Sequence, residues 1–244
     1  MKRKYVDLHL CPNIQDAEGT RCLVDKASAL GYDAVGIALP VGAGEKERWL
    51  VQSICDAADV EMVSRVDLRP RTPDELLALL RRVRRRFEVV AVMCESKTVA
   101  RQAAKDRRVD LLGFPQLDFR RRFFDRAEAE LASGCSASLE VDVQPLLMLE
   151  GTPRIRLLSN LRRETTIATG FHVPIVLSSG TCKANLLRRP ADMAALGSLF
   201  HLVSSAGLEA VSKAPLGIVE RNRQKLGAGF VAPGIWVVRR GKDC

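Results

Sequence analysis

Short apolar runs rich in β-branched residues recur along the chain, at 4–10 (KYVDLHL), 33–39 (DAVGIAL), 60–68 (VEMVSRVDL), 87–94 (FEVVAVMC) and 109–115 (VDLLGFP). They continue at 136–142 (SASLEVD), 173–179 (VPIVLSS) and 208–214 (LEAVSKA), with a last run at 234–240 (GIWVVRR). Runs of this length and composition predict strands. Between them the apolar period lengthens to that of a helix. In 72–87, Leu76, Leu79, Leu80 and Val83 form a stripe, and Thr72 is placed to cap the helix ahead of Pro73. In 118–134, Phe119, Phe123, Ala127 and Leu131 recur every four residues before a stop at Gly134.

Eight or nine strands, each followed by a helix at intervals of about 22 to 37 residues, predict repeated βα units and a parallel sheet. No linker or low-complexity stretch divides the 244 residues, so residues 1–244 are expected to form one domain. A closed (β/α) barrel of the TIM-like kind accounts for both the strand number and the length. An open doubly wound sheet would need more strands than usual, and the first turn lacks the glycines of a dinucleotide site.

In such a barrel, functional side chains gather at the carboxyl ends of the strands. Simple alternation puts Asp7 and His9 on one face of the first strand and Glu140 and Asp142 on one face of the sixth, with Asp67 closing the third. Together they are candidates for a divalent-metal site of phosphoesterase type. The chain has three histidines, however: His172 precedes its strand and His201 falls within a helical pattern, which leaves one imidazole for the site. Carboxylates alone could hold a weak magnesium ion; the other reading pairs these acids with arginines. Cys11 has no predicted thiolate or imidazole companion for zinc. Ser178 and Ser179 end a strand without a GxSxG elbow, so a serine nucleophile is not indicated. The turn after them, with Gly180, Thr181 and Lys183, could receive a phosphate or be an ordinary βα turn.

Charge alters the picture. Thirty-eight Lys and Arg against 29 Asp and Glu give a net +9, mostly through arginine, which favours a polyanionic partner. With eight Phe, two Tyr and two Trp there is little to stack on unpaired bases, which points to folded RNA read by shape and backbone. The run 81–86 (RRVRRR) ends a helix and is expected to face solvent. Arg107 and Arg108 precede a strand, with Asp106 placed to fix one of them. Lys213, Arg221, Arg223 and Lys225 surround a short helix whose buried side is Leu216, Ile218 and Val219. Seven cysteines, an odd number without a CxxC pair, suggest buried free thiols and a reducing compartment, hence the cytoplasm. The basic N-terminus lacks the apolar run of a signal peptide, and the longest uncharged stretch, 165–182, is too polar for a membrane span.

The stretches DLHL (7–10), SRVDL (64–68), DRRVDLLGFP (106–115), SLEVD (138–142), VPIVLSSGT (173–181), LLRRPADMAALG (186–197) and APLGIVERNRQKLG (214–227) follow one another in an order that resembles the ribonuclease P protein component 3 family, the thirty-kilodalton subunit in its archaeal form. The resemblance implies a barrel related to the polymerase and histidinol phosphatase metallohydrolases with its metal site largely lost. It implies a subunit of the ribonucleoprotein that removes the 5′ leader from precursor tRNA, with the RNA subunit carrying the chemistry and using magnesium. On that basis the chain has no catalytic residue, metal ligand or cofactor of its own. Its partners are ribonuclease P RNA, protein component 2 directly, the other ribonuclease P proteins and, within the holoenzyme, precursor tRNA. RNA contacts are expected at Arg65, Arg107, Arg108, Lys183, Arg188, Lys213, Arg221, Arg223 and Lys225.

Overall fold

The computed structural model describes residues 3–115, 122, 124–227, 229–232 and 235–236. Its centre is a parallel sheet of seven strands in sequence order. The strands are β1 (Val6–Leu10), β2 (Ala34–Ala38), β3 (Glu61–Leu68), β4 (Val89–Met93), β5 (Leu111–Gly113), β6 (Ser138–Asp142) and β7 (Ile175–Ser178). Around them run α1 (Ala17–Leu30), α2 (Glu45–Ala57), α3 (Pro73–Val83), α4 (Lys97–Lys105), α5 (Arg126–Ser133), α6 (Gln144–Met148) and α7 (Gly151–Gly170). Then follow α8 (Pro190–Leu196), α9 (Ser204–Ala210) and α10 (Lys213–Leu226).

The seven predicted strands from the N-terminus through 173–179 all form, each trimmed by one or more residues at its ends. The α3 signals act as expected: the Thr72 side chain accepts from the Glu75 amide, and Leu76, Leu80 and Val83 are buried. Gly134 caps α5, whereas Phe119 and Phe123 lie outside the described residues.

The eighth strand expected at 208–214 does not form. α9 ends at Ala210 and α10 begins at Lys213, so only Val211 and Ser212 stand between them, the Val211 carbonyl accepting from Val6 N at 3.0 Å. Leu, Glu and Ala in this stretch suit a helix, and Gly207 lets α9 approach α8 so closely that a Cβ would lie 2.5 Å from the Ala194 carbonyl oxygen. The ring closes instead from β7 toward β1, through Gly180 N to His9 O (2.9 Å) and Cys11 N to Thr181 O (3.0 Å). In the last expected strand, Ile235–Trp236 pairs antiparallel with Phe230–Ala232 outside the barrel, and 237–240 lie outside the described residues.

The core has two layers. The larger packs the outer faces of the strands against the helices. The smaller fills the barrel's amino end with Val6, Leu8, Ala34, Val63, Val89, Ala91, Leu111 and Val176, closed by Ile218 and Val219 of α10. This helix is therefore a plug whose apolar face enters the barrel, as its sequence pattern indicated. Above the plug the interior turns polar.

Candidate functional site

The mouth of the barrel, at the carboxyl ends of the strands, is filled by one charged network. Arg65 of β3 points inward and is almost wholly buried. Its Nη1 and Nη2 donate to Oε1 and Oε2 of Glu140 at 2.6 and 2.7 Å, its Nε to Asp67 at 2.8 Å, and Nη1 also to the Leu8 carbonyl at 2.9 Å. Ser178 Oγ donates to Glu140 at 2.7 Å. His9 lies beside this pair, Nδ1 2.8 Å from Asp142 and Nε2 3.2 Å from Asp67. Both ring nitrogens can donate only in the imidazolium form. Burial and the nearby Arg65 charge disfavour that cation, but the Asp142 and Asp67 carboxylates outweigh them and hold the His9 pKa well above the usual imidazole value. Conversely, burial opposes the Asp67 charge, yet Arg65 and His9 hold its carboxyl well below the ordinary range.

Asp7 does not join His9. The pairing of β1 with β2 shifts register between Asp7 and Leu10, so simple alternation fails there. The Asp7 carboxylate instead accepts from Ser179 through both its amide (3.0 Å) and its hydroxyl, and from the His9 amide at 3.1 Å. Burial raises its pKa against these hydrogen bonds. Gly180 keeps a positive φ of 63°, and a Cβ there would sit 2.5 Å from Cγ of Asp142, so glycine is required both for the turn and for the acid behind it.

His9, Glu140 and Asp142 bring ligand atoms within 4.8 Å of one another, the arrangement a divalent cation could use. The donors do not fit that role. Both imidazole nitrogens face carboxylates, both Glu140 oxygens accept from Arg65, and the guanidinium supplies the positive charge a metal would bring. The hydroxyls of the turn after β7 are likewise turned inward. Ser178, Ser179 and Thr181 are all buried while Cys182 and Lys183 are exposed, so the phosphate-receiving reading of that turn is not supported by its hydroxyls. Cys11 is half-buried and is not among these ligand groups; of the six described cysteines, all free, Cys55 and Cys94 are fully buried and Cys22 and Cys182 exposed.

The nine cations expected to meet RNA do not form one surface. Arg65 is corrected outright: at 2% exposure, with all three guanidinium nitrogens engaged, it is an internal counter-ion. Lys183 sits on the mouth side and is exposed. Arg188 lies on the outer wall, where Tyr32 donates to its carbonyl (3.0 Å) and its own Nη1 donates to the Asn185 and Leu187 carbonyls. The other six are at the amino end of the barrel. There Arg221 and Asn222 donate to Asp110, Arg223 reaches Glu88 and Glu61, and Arg108 forks onto Asp106. These contacts bolt α10 to the strand starts, so Arg221 and Arg223 act first in the fold. Lys213 and Arg107 are exposed, and Lys225 is half-buried.

The arginine run ending α3, expected to face solvent, is exposed at Arg81, Arg82, Arg85 and Arg86, and Arg84 is its half-buried exception. Arg84 donates to Asp110 (2.5 Å) and to the carbonyls of Phe87, Glu88 and Arg108. Arg86 donates to the carbonyls of Val41 and Ala43. The acids waiting before β4 and β5, Glu88 and Asp110, were the available signal. No described helix is long and apolar enough to cross a membrane.

Comparison with known proteins agrees with the geometry. The family model described as RNase P subunit p30 matches residues 4–226. Ribonuclease P protein component 3 of Methanosarcina barkeri is 32% identical over 98% of this chain and 98% of its own length. A chain from a cryo-EM structure of archaeal ribonuclease P with mature tRNA superposes with a TM-score of 0.81, covering 97% of this chain and 99% of that one at 19% identity. A dihydroorotase from Campylobacter jejuni shares the barrel more loosely, with a TM-score of 0.54 over 89% of this chain and 83% of its own at 10% identity. The chain belongs to the RNase P subunit p30 family, that of ribonuclease P protein component 3.

Proposed function

We propose that this chain serves ribonuclease P as a subunit without chemistry of its own, binding and stabilising the RNA that removes the 5′ leader from precursor tRNA. The observation that carries the reading is the filled barrel mouth. Where a barrel hydrolase would hold a metal and a substrate, Arg65 and the His9 imidazolium are locked onto Glu140, Asp67 and Asp142. Magnesium is then a requirement of the RNA subunit, with none held by this chain.

Its direct partner is protein component 2, alongside the other ribonuclease P proteins, and it works in the cytoplasm away from membranes. RNA contacts belong to cations at the surface: Lys183, Lys213, Arg107 and Lys225 foremost, then the outward donors of Arg108, Arg188, Arg221 and Arg223. Phosphate contacts of this kind position a protein on RNA by backbone and shape.

The test is reconstitution of the cognate RNA and component 2 with and without this chain, reading precursor-tRNA cleavage, together with metal analysis of the purified chain. Stimulated cleavage and a metal-free protein are expected. No stimulation would end the reading. Stoichiometric zinc or manganese, with phosphoesterase activity lost in His9→Ala, would replace it with an enzyme.

A further inference from the structure

We infer that the groove at the amino end of the barrel is a distinct RNA phosphate-backbone site, in which Arg85, Arg107 and Lys225 contact the RNA against a fixed wall made by Arg84 and Arg108. This rests on the reading of the chain as an RNA-binding subunit and adds the place and the residues.

The groove, of about 640 Å³, lies between the end of α3, the turn before β5 and the end of α10, on the opposite end of the barrel from His9. Its five cations face no carboxylate within the lining. They fall into two kinds. Arg84 is tied to Asp110 and three carbonyls, and Arg108 is forked onto Asp106, so neither is free to reorient. Arg85 and Arg107 are exposed, and neither their side chains nor that of Lys225 makes a hydrogen bond or ion pair with a described residue. Burial and the charges of Arg221, Arg84 and Arg107 outweigh the attraction of Asp110 and depress the Lys225 ammonium below its usual pKa. Among the described residues, the groove thus carries a positive excess from Arg85, Arg107 and Lys225 over the pairs that Arg84 and Arg108 make with Asp110 and Asp106.

A positive concavity with rigid guanidinium groups behind and free cations at its rim suits successive phosphates of a folded RNA strand. The space exceeds a single phosphate ion, and Arg85 and Arg107 come from different turns, so that their charges address separate points along a backbone. An acidic protein segment is the competing occupant, and the test separates the two.

The full chain, together with component 2, is titrated with labelled cognate ribonuclease P RNA from about 0.05 to 0.2 M monovalent salt. The triple variant Arg85→Gln, Arg107→Gln, Lys225→Gln should keep the wild-type thermal unfolding, since none of the three side chains is bonded to a described residue. Its log affinity against log salt should be shallower by about two to three, with affinity lowered at least about tenfold at low salt. Lys183→Gln, at the other end of the barrel, should lower the slope by no more than about one. An unchanged slope in the triple variant overturns the site. So does normal RNA binding combined with loss of a protein subunit from the assembled enzyme, which would make the groove a protein contact. Failure of the wild-type complex to bind the RNA would remove the parent reading, and this site with it.

Discussion

Arg65 and Glu140 meet end to end inside the barrel, from β3 and β6, with two parallel hydrogen bonds of 2.6 and 2.7 Å between side chains only 2% and 3% exposed. A buried fork of this kind is demanding. Its desolvation is offset only while both partners and their further hydrogen bonds remain. Arg65→Ala therefore should cost about 3–5 kcal/mol, because Glu140 is left charged and alone. The double variant Arg65→Met, Glu140→Met should be far milder than the single. Urea unfolding checks both, and equal losses in single and double would refute the pairing as the source. Lys at 65 should rescue poorly, since an ammonium cannot reach Glu140, Asp67 and the Leu8 carbonyl together.

His9 makes the mouth pH-sensitive in a defined direction. Its folded pKa is raised above the usual 6.5. Its contribution to stability is thus complete below that value and fades as pH rises through the folded pKa. Wild-type protein should lose more stability than His9→Gln on going from neutral to alkaline pH. Parallel curves for the two would show that the imidazolium does not bind Asp142 and Asp67 as described.

Glu128 gives the same pH trend from a different cause, burial instead of a charged partner. It is buried in α5, neither carboxylate oxygen has a hydrogen-bond partner among the described residues, and burial, with Asp125 nearby, pushes its pKa up to about 8. The folded state then holds a proton that the unfolded state has released, so stability falls as pH rises from about 4.5 to about 8. Glu128→Gln should raise the unfolding temperature at pH 8 and leave it nearly unchanged at pH 5, as differential scanning fluorimetry would read. A variant less stable at pH 8 would contradict the unpartnered acid.

Asp110 pins the plug helix. Its carboxylate accepts from Arg84, Arg221, Asn222 and the Val90 amide. Asp110→Ala should destabilise by about 3–5 kcal/mol and release α10, seen as faster amide exchange between residues 213 and 226. Exchange confined to the helix ends as in wild type would show that apolar packing of Ile218 and Val219 holds α10 by itself.

Much of the fold was legible in the chain because period and punctuation are local properties. Thr72 and Pro73 start α3, and Ile218 and Val219 mark the buried side of α10, whatever lies across the molecule. The 208–214 run was misread because a short apolar segment suits a strand or a buried helix equally, and the close packing permitted by Gly207 decided for helix. The site was partly legible. Asp67, His9, Glu140 and Asp142 do converge, but Asp7 leaves them at a register shift in β1 that no alternation rule foresees.

The sequence by itself determined the parallel βα order, the acids at the strand ends, the shortage of imidazoles and the positive balance. Only the tertiary structure decided what each cation does. Arginines are interchangeable as charges in a sequence, whereas folding places Arg65 against Glu140, Arg84 against Asp110 and Arg107 against solvent. Whether a guanidinium is an internal counter-ion or a free hand for phosphate depends on which carboxylate stands within about 3 Å, and that carboxylate comes from a distant part of the chain.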